Sequence, residues 1–258
     1  MHIVVVTKAT PDTGAKITVE NGVPTWKEAM VINPWDEYSV TEAVVLKEEH
    51  KAKVTIMAVG PAEHDDALKQ GLAIGCDEAI RVWDEALVGH DSLQYARALA
   101  AAIKKLGDVT LVIFGKEFAD SGSNQHIYQT ARLLGFQVLG SVSKLISLDF
   151  GAGTIKVERS VEQGKQTVSS KLPAVLGVLK DITEPRYPSF IGIRKAAKAQ
   201  IPVWGLSDLG IEAGTPKATI LSYSEPPKRE GEVEFIEGES PREIAEKLAE
   251  KLLEEKVL

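Results

Sequence analysis

Cysteine is almost missing from this sequence, with Cys76 alone among 258 residues. A single thiol closes no internal disulfide, and the surrounding Ile74-Gly75-Cys76-Asp77 supplies no second sulfur for a redox pair or a zinc site. The composition suits a reducing compartment. No apolar run approaches the ~20 residues that span a bilayer, so insertion into a membrane is not expected. Positive charge is the minority sign, 30 Lys and Arg against 37 Asp and Glu, and the net charge of −7 offers nucleic acid no general attraction. Any basic patch is therefore local. His2, His50, His64, His90 and His126 are scattered, without i,i+4 pairing or neighbouring Cys, so no metal site is expected. The opening His2-Ile3-Val4-Val5-Val6 has no basic or Arg-rich presequence before it, from which a cytoplasmic location is expected, or the mitochondrial matrix in a eukaryote.

What is present is enough apolar material, 44% of residues, to bury a full core. Short Val- and Ile-rich runs alternate with stretches of helical period, the pattern of parallel strands joined by crossover helices. Strands are predicted at residues 2–7, 54–59, 79–82 and 109–115, and helices at 36–49, 61–74, 91–106 and 127–134. A small hairpin is expected around 16–26. Strands at 137–145, 154–159, 164–168 and 174–179 read as an antiparallel addition, with turns at Asp149-Phe150-Gly151-Ala152-Gly153 and Glu162-Gln163-Gly164. After Asp181 the chain carries seven of its twelve prolines and closes on a charged amphipathic helix over 240–256. The expected organisation is an α/β domain over 1–181, an open and mainly parallel sheet with flanking helices, followed by an extended arm over 182–258 that wraps a partner.

In an open parallel sheet, a ligand sits on the loops at the carboxyl ends of the strands. Four segments qualify: Val6-Thr7-Lys8, Asn33-Pro34-Trp35-Asp36, Ala58-Val59-Gly60-Pro61, and the run from Gly115 to His126. The last is rich in glycine and hydroxyls and runs straight into a helix, with Ser123 or Asn124 as cap. Exposed N–H groups there suit a phosphate. The same residues would serve equally as a plain loop and helix cap. Neither G-x-G-x-x-G after the first strand nor G-x-x-x-x-G-K-[ST] occurs, which disfavours an ordinary NAD enzyme and a P-loop hydrolase. Glu63-His64-Asp65-Asp66 reads as a first helical turn, and the tryptophans read as packing, with Trp35 the exception to test.

Six blocks carry a resemblance. They are Val31-Ile32-Asn33-Pro34-Trp35-Asp36-Glu37; Gly115-Lys116 with Asp120 and Asn124-Gln125; Val157-Glu158-Arg159; Lys171-Leu172-Pro173-Ala174-Val175; Glu184-Pro185-Arg186-Tyr187; and Glu225-Pro226-Pro227-Lys228-Arg229. In this order, over nearly the whole chain, they resemble the β-subunits of electron-transfer flavoproteins. The resemblance implies a Rossmann-like fold of the adenine-nucleotide α-hydrolase kind. It implies a heterodimer whose larger α-subunit holds the working FAD while this chain holds AMP. Electrons would pass from acyl-CoA or other flavin dehydrogenases to a downstream quinone oxidoreductase, with no substrate chemistry in this chain alone.

Carried over residue by residue, the nucleotide pocket comprises Val6, Asn33, Pro34, Trp35, Asp36, Val59, Gly115, Lys116, Glu117, Phe118, Ala119, Asp120, Ser121, Gly122, Ser123, Asn124, Gln125 and His126. Asn33 and Asp120 are expected on the ribose or adenine, and Ser121 to Gln125 on the phosphate. One departure is local: where many members carry Asp-Gly-Asp-Thr, this chain has Asp120-Ser121-Gly122-Ser123. Electron-bifurcating members resemble this fold but hold a second FAD in place of AMP. The Asn124-Gln125-His126-Ile127-Tyr128 continuation is closer to the AMP-holding pattern. The segment around Phe190, Ile191, Arg194, Lys195 and Lys198 resembles the loop that docks dehydrogenases, outside any regular element except for a possible short helix over 194–200. A rival keeps the fold and changes the job, to a stand-alone adenine-nucleotide regulator or an adenylate-transferring enzyme.

Overall fold

A computed structural model describes residues 1–227 and 233–257. Lys228 and Arg229 of the last block lie outside the described residues. The chain divides into two compact units, Met1–Tyr223 and Ser224–Leu258.

The first unit is built on β1 (His2–Val6), whose five residues are all buried. Alternate side chains point to opposite faces of a strand, so Ile3 and Val5 enter one core and Val4 and Val6 the other. An excursion follows: β2 (Ala9–Pro11), a hairpin of β3 (Thr18–Glu20) and β4 (Val23–Thr25), and β5 (Met30–Ile32), which pairs antiparallel with β2. That pairing returns the chain to the end of β1, where the Asn33 N–H donates to the Lys8 carbonyl at 2.8 Å. There α1 (Pro34–His50) begins with Pro at its first turn, acids at its start and Lys47 and His50 at its end.

The rest alternates: β6 (Lys53–Val59), α2 (Asp65–Ile74), β7 (Glu78–Val82), α3 (Ser92–Leu106), β8 (Val109–Phe114), α4 (Gln125–Leu134). After them come β9 (Gln137–Asp149), β10 (Thr154–Val161), β11 (Gly164–Lys171), β12 (Ala174–Val178), α5 (Phe190–Ala196) and β13 (Val203–Trp204). One nine-stranded sheet runs in the order β11-β10-β9-β12-β8-β1-β6-β7-β13. Helices α1 and α2 pack with Ile3 and Val5, and α3 and α4 with Val4 and Val6, so both faces are covered.

The expected antiparallel addition is smaller than the sequence suggests. Only the β9-β10-β11 ribbon is antiparallel, whereas β12 pairs parallel with both β8 and β9. The physical reason is burial. All five β12 residues are covered on both faces, the environment of a central parallel strand.

Residues 182–223 lie within the first unit. Val203–Trp204 adds to the free edge of β7. The stretch beyond it tracks α3, with the Asp91 carboxylate accepting from the Lys217 and Ala218 N–H groups and the Gln94 side chain bonded to Gly214 and Thr215. In the second unit α6 (Pro241–Glu254) is capped by Ser240, and Lys251 pairs with Glu234 at 3.1 Å. No helix among the described residues is long and apolar enough to cross a membrane.

Candidate functional site

From β1 the chain winds to one side through β6 and β7, then returns beyond β1 to add β8 on the other. Adjacent carboxyl ends whose connections leave in opposite directions open a crevice between them. At β1 and β8 that crevice gathers three of the sequence-predicted segments.

Asp36 ties them together. Its carboxylate accepts from the Thr7 hydroxyl at 3.2 Å and from the Lys8 N–H at 3.1 Å. Burial pushes its pKa up to about 7, against the hydrogen bonds from Asn33, Thr7, Lys8 and Gly115 that favour the charged form. Gly115 lies so close that an added Cβ would stand 2.5 Å from Asp36 Oδ1 and 2.6 Å from the Trp35 carbonyl carbon. Glycine is therefore required where β8 meets the start of α1.

Asn33 is fully buried and clamps the loop. Its side-chain NH2 donates to the Glu117 carbonyl at 2.9 Å, and its oxygen accepts from the Ala119 N–H at 3.0 Å. This amide, expected on the ribose or adenine, is engaged inside the chain. Beyond it, residues 118–123 make a tight turn: Phe118 N–H donates to the Ser123 carbonyl at 2.9 Å, and Gly122 N–H to the Phe118 carbonyl at 2.8 Å. Gly122 adopts φ +59°, and Ala119, Asp120 and Ser121 are exposed. Asn124, not Ser123, is the N-cap of α4, with no side-chain cap bond. Gln125 accepts from Ser92 at 3.2 Å, which joins the starts of α3 and α4 at the crevice.

Of the other expected residues, Val6 and Val59 sit at the strand ends with their side chains in the core. Pro34 and Trp35 form the first turn of α1, with Lys116 Nζ 4.8 Å over the Trp35 ring and 3.4 Å from Glu117. His126 is 2% exposed and stacks on Phe118, centroids 4.0 Å apart and planes within 3°. Desolvation lowers its pKa to about 3.

Sequence reasoning missed three side chains here. Lys8 pairs with Asp120 across the crevice and lies 5.0 Å over the Phe118 ring. His64 sits under Gly60, with burial lowering its pKa to about 4. Tyr95 packs edge-on to Phe118 and His126 and stacks with His90. Lys8 had a signal, since it ends the Val6-Thr7-Lys8 segment. The others come from helix starts whose facing is set only by packing.

The second expected site is a separate surface. Ser189 caps α5 by accepting from the Gly192 N–H at 3.0 Å. An added Cβ at Gly192 would collide with the Ala73 carbonyl, so α5 lies backbone-close on the end of α2, with Ala196 buried. Just before it, Arg186 N–H donates to Thr41 at 3.0 Å, and its guanidinium pairs with Glu48 at 2.8 Å. Pinned on both sides, the segment leaves Tyr187 97%, Phe190 89% and Ile191 81% exposed, with Arg194, Lys195 and Lys198 also in solvent. The helix covers Phe190–Ala196, in place of an irregular loop or a helix over 194–200.

Fold and site define a doubly wound α/β protein whose polar and glycine-rich loops meet at the switch point of its sheet. Residues 25–209 match the family model of the electron transfer flavoprotein domain. The chain is 33% identical to Protein FixA of Azotobacter vinelandii, covering 98% of this chain and 94% of that protein. It is 32% identical to the Caffeyl-CoA reductase-Etf complex subunit CarD of Acetobacterium woodii, over 100% of both. It is also 32% identical to the electron transfer flavoprotein subunit beta of Bacillus subtilis, covering 99% and 98%. The chain belongs to the electron transfer flavoprotein family, among its β-subunit and FixA-type members.

Proposed function

We propose that this chain is the β-type subunit of a heterodimeric electron transfer flavoprotein, holding AMP structurally while the α-type subunit carries the working FAD. The observation that carries the reading is the convergence of Thr7, Lys8, Asp36, Gly115 and the 118–123 turn beside the starts of α3 and α4. In this reading Asn33 positions the loop, Asp120 meets the ribose, and the backbone and hydroxyls of Ser121 to Gln125 meet the phosphate. The pinned α5 segment docks dehydrogenases: Phe190 and Ile191 fill an apolar pocket while Arg194, Lys195 and Lys198 steer acidic surfaces. Electrons then pass to a quinone oxidoreductase. The C-terminal residues reach the partner subunit.

The chain acts as a carrier subunit, so the full chain purified alone should show no visible flavin spectrum and reduce no dye. Co-expression with its α-type subunit should produce both. A yellow, dye-reducing preparation of this chain alone would contradict the reading.

A further inference from the structure

At the mouth of the crevice, two opposite charges close on each other. Lys8 is the second residue after β1, and its backbone is held on both sides: the N–H donates to Asp36 at 3.1 Å and the carbonyl accepts from Asn33 at 2.8 Å. Only its side chain is free to change position. Lys8 Nζ lies over the Phe118 ring and ion-pairs with Asp120, both side chains about a quarter exposed. Asp120 belongs to the turn closed by the Ser121 and Gly122 N–H groups on the Phe118 carbonyl, and among the described residues no atom beyond its two chain neighbours approaches within 4 Å of a Cβ built at Gly122.

Behind the pair lie buried groups with unused hydrogen-bonding capacity. Among the described residues, Nδ1 of His64 and Nδ1 of His126 have no hydrogen-bond partner, and the two residues are 6% and 2% exposed. Lys8 acts electrostatically on both imidazoles, and Asp120 on His64. An ammonium over an aromatic ring, beside neutral imidazoles, is placed for an anion, yet it is held by a carboxylate on an exposed turn.

We propose that the Lys8–Asp120 ion pair is a latch over the crevice, and that Lys8 becomes the cationic partner of a nucleotide phosphate when the latch opens. The proposal rests on the nucleotide reading above and adds to it a residue and a mode of entry. A partly exposed ion pair is weak, so opening it costs little. A phosphate brings more charge and more acceptor oxygens than one carboxylate, and so wins the ammonium. The released Asp120 carboxylate is then free to accept from the ribose hydroxyls.

The test is calorimetric titration of the full chain with AMP, adenosine and inorganic phosphate. Lys8→Met keeps the apolar stem on Phe118 and removes the charge; it should weaken AMP by about tenfold or more, the scale of one charge-assisted hydrogen bond, and leave adenosine unchanged. Lys8→Arg should recover most of the loss. Asp120→Asn removes the competitor and should tighten inorganic phosphate. Equal AMP affinity in Lys8→Met and the parent chain, or equal losses for AMP and adenosine, overturns the latch and leaves the nucleotide reading standing. If the parent chain binds no AMP, the nucleotide reading fails and the latch with it.

Discussion

Gly115 is the residue on which the crevice geometry depends most tightly. Its Cβ would meet backbone atoms of Trp35 and the Asp36 carboxylate, none of them the free end of a flexible chain. Gly115→Ala should therefore cost about 1–3 kcal/mol by overpacking, read as a lower urea midpoint with an unchanged m-value. A variant as stable as the parent would show that β8 and α1 are not in such close contact. The buried titrating groups make a second prediction. His64 and His126 titrate in the folded chain near 4 and 3, below the ordinary 6.5, so the unfolded chain takes up protons first as pH falls. The stability they contribute is complete above pH 6.5 and is lost as pH falls toward those values. Asp36 acts in the opposite sense: raised from 3.8 to about 7, it contributes stability at low pH that is lost as pH rises through 7. His126→Phe keeps an aromatic ring against Phe118 and removes one titration, so its stability relative to the parent should improve as pH falls below 6.5. Parallel pH profiles for the two proteins would refute this assignment. Asp36 and Gly115 were legible as residues of interest because each stands beside a recognisable strand or helix end. His64 and Tyr95 were not, because their approach to the crevice is fixed by how α2 and α3 lie on the sheet.

Among the elements, α5 shows how a segment can be read for function and missed for structure. Seven residues carrying Gly192, with Phe190 and Ile191 outermost, give none of the periodicity that marks a helix facing a core. The helix exists because Ser189 caps it and Gly192 and Ala196 let it lie close on α2. Those contacts do not involve Phe190. Phe190→Ala should therefore leave the melting temperature unchanged, yet weaken dehydrogenase binding by on the order of 2 kcal/mol, roughly thirtyfold. Neutral replacements of Arg194 and Lys195 should instead slow association and flatten its salt dependence, as stopped-flow reduction at several salt concentrations will show. A drop in melting temperature with partner affinity intact would return α5 to a purely structural role. The central parallel strands and their helices were legible because apolar runs and helical periods alternate cleanly. The direction of β12 was not, since a hairpin-rich stretch precedes it and only its complete burial marks it as a parallel strand.

At the scale of the whole molecule, the sheet's switch point explains why residues from 7 to 126 in sequence meet at one place. The proline-rich stretch after residue 181 reads from sequence as the start of an arm, but much of it is engaged locally. Arg186 is bonded to α1, and the 203–218 region follows β7 and α3. Proline content records the lack of helical or strand period, not the lack of contacts, and residues 182–223 group with the first unit. Family membership adds the expectation of an α-type partner that carries the flavin, while the crevice of this chain is the proposed seat of the AMP. The small molecules bound by the co-purified heterodimer test this directly. Acid extraction, with flavin read by absorbance and nucleotides separated by chromatography, should give one FAD and one AMP per heterodimer. Two FADs, or one FAD with no AMP, would contradict the assignment of the crevice to a structural AMP.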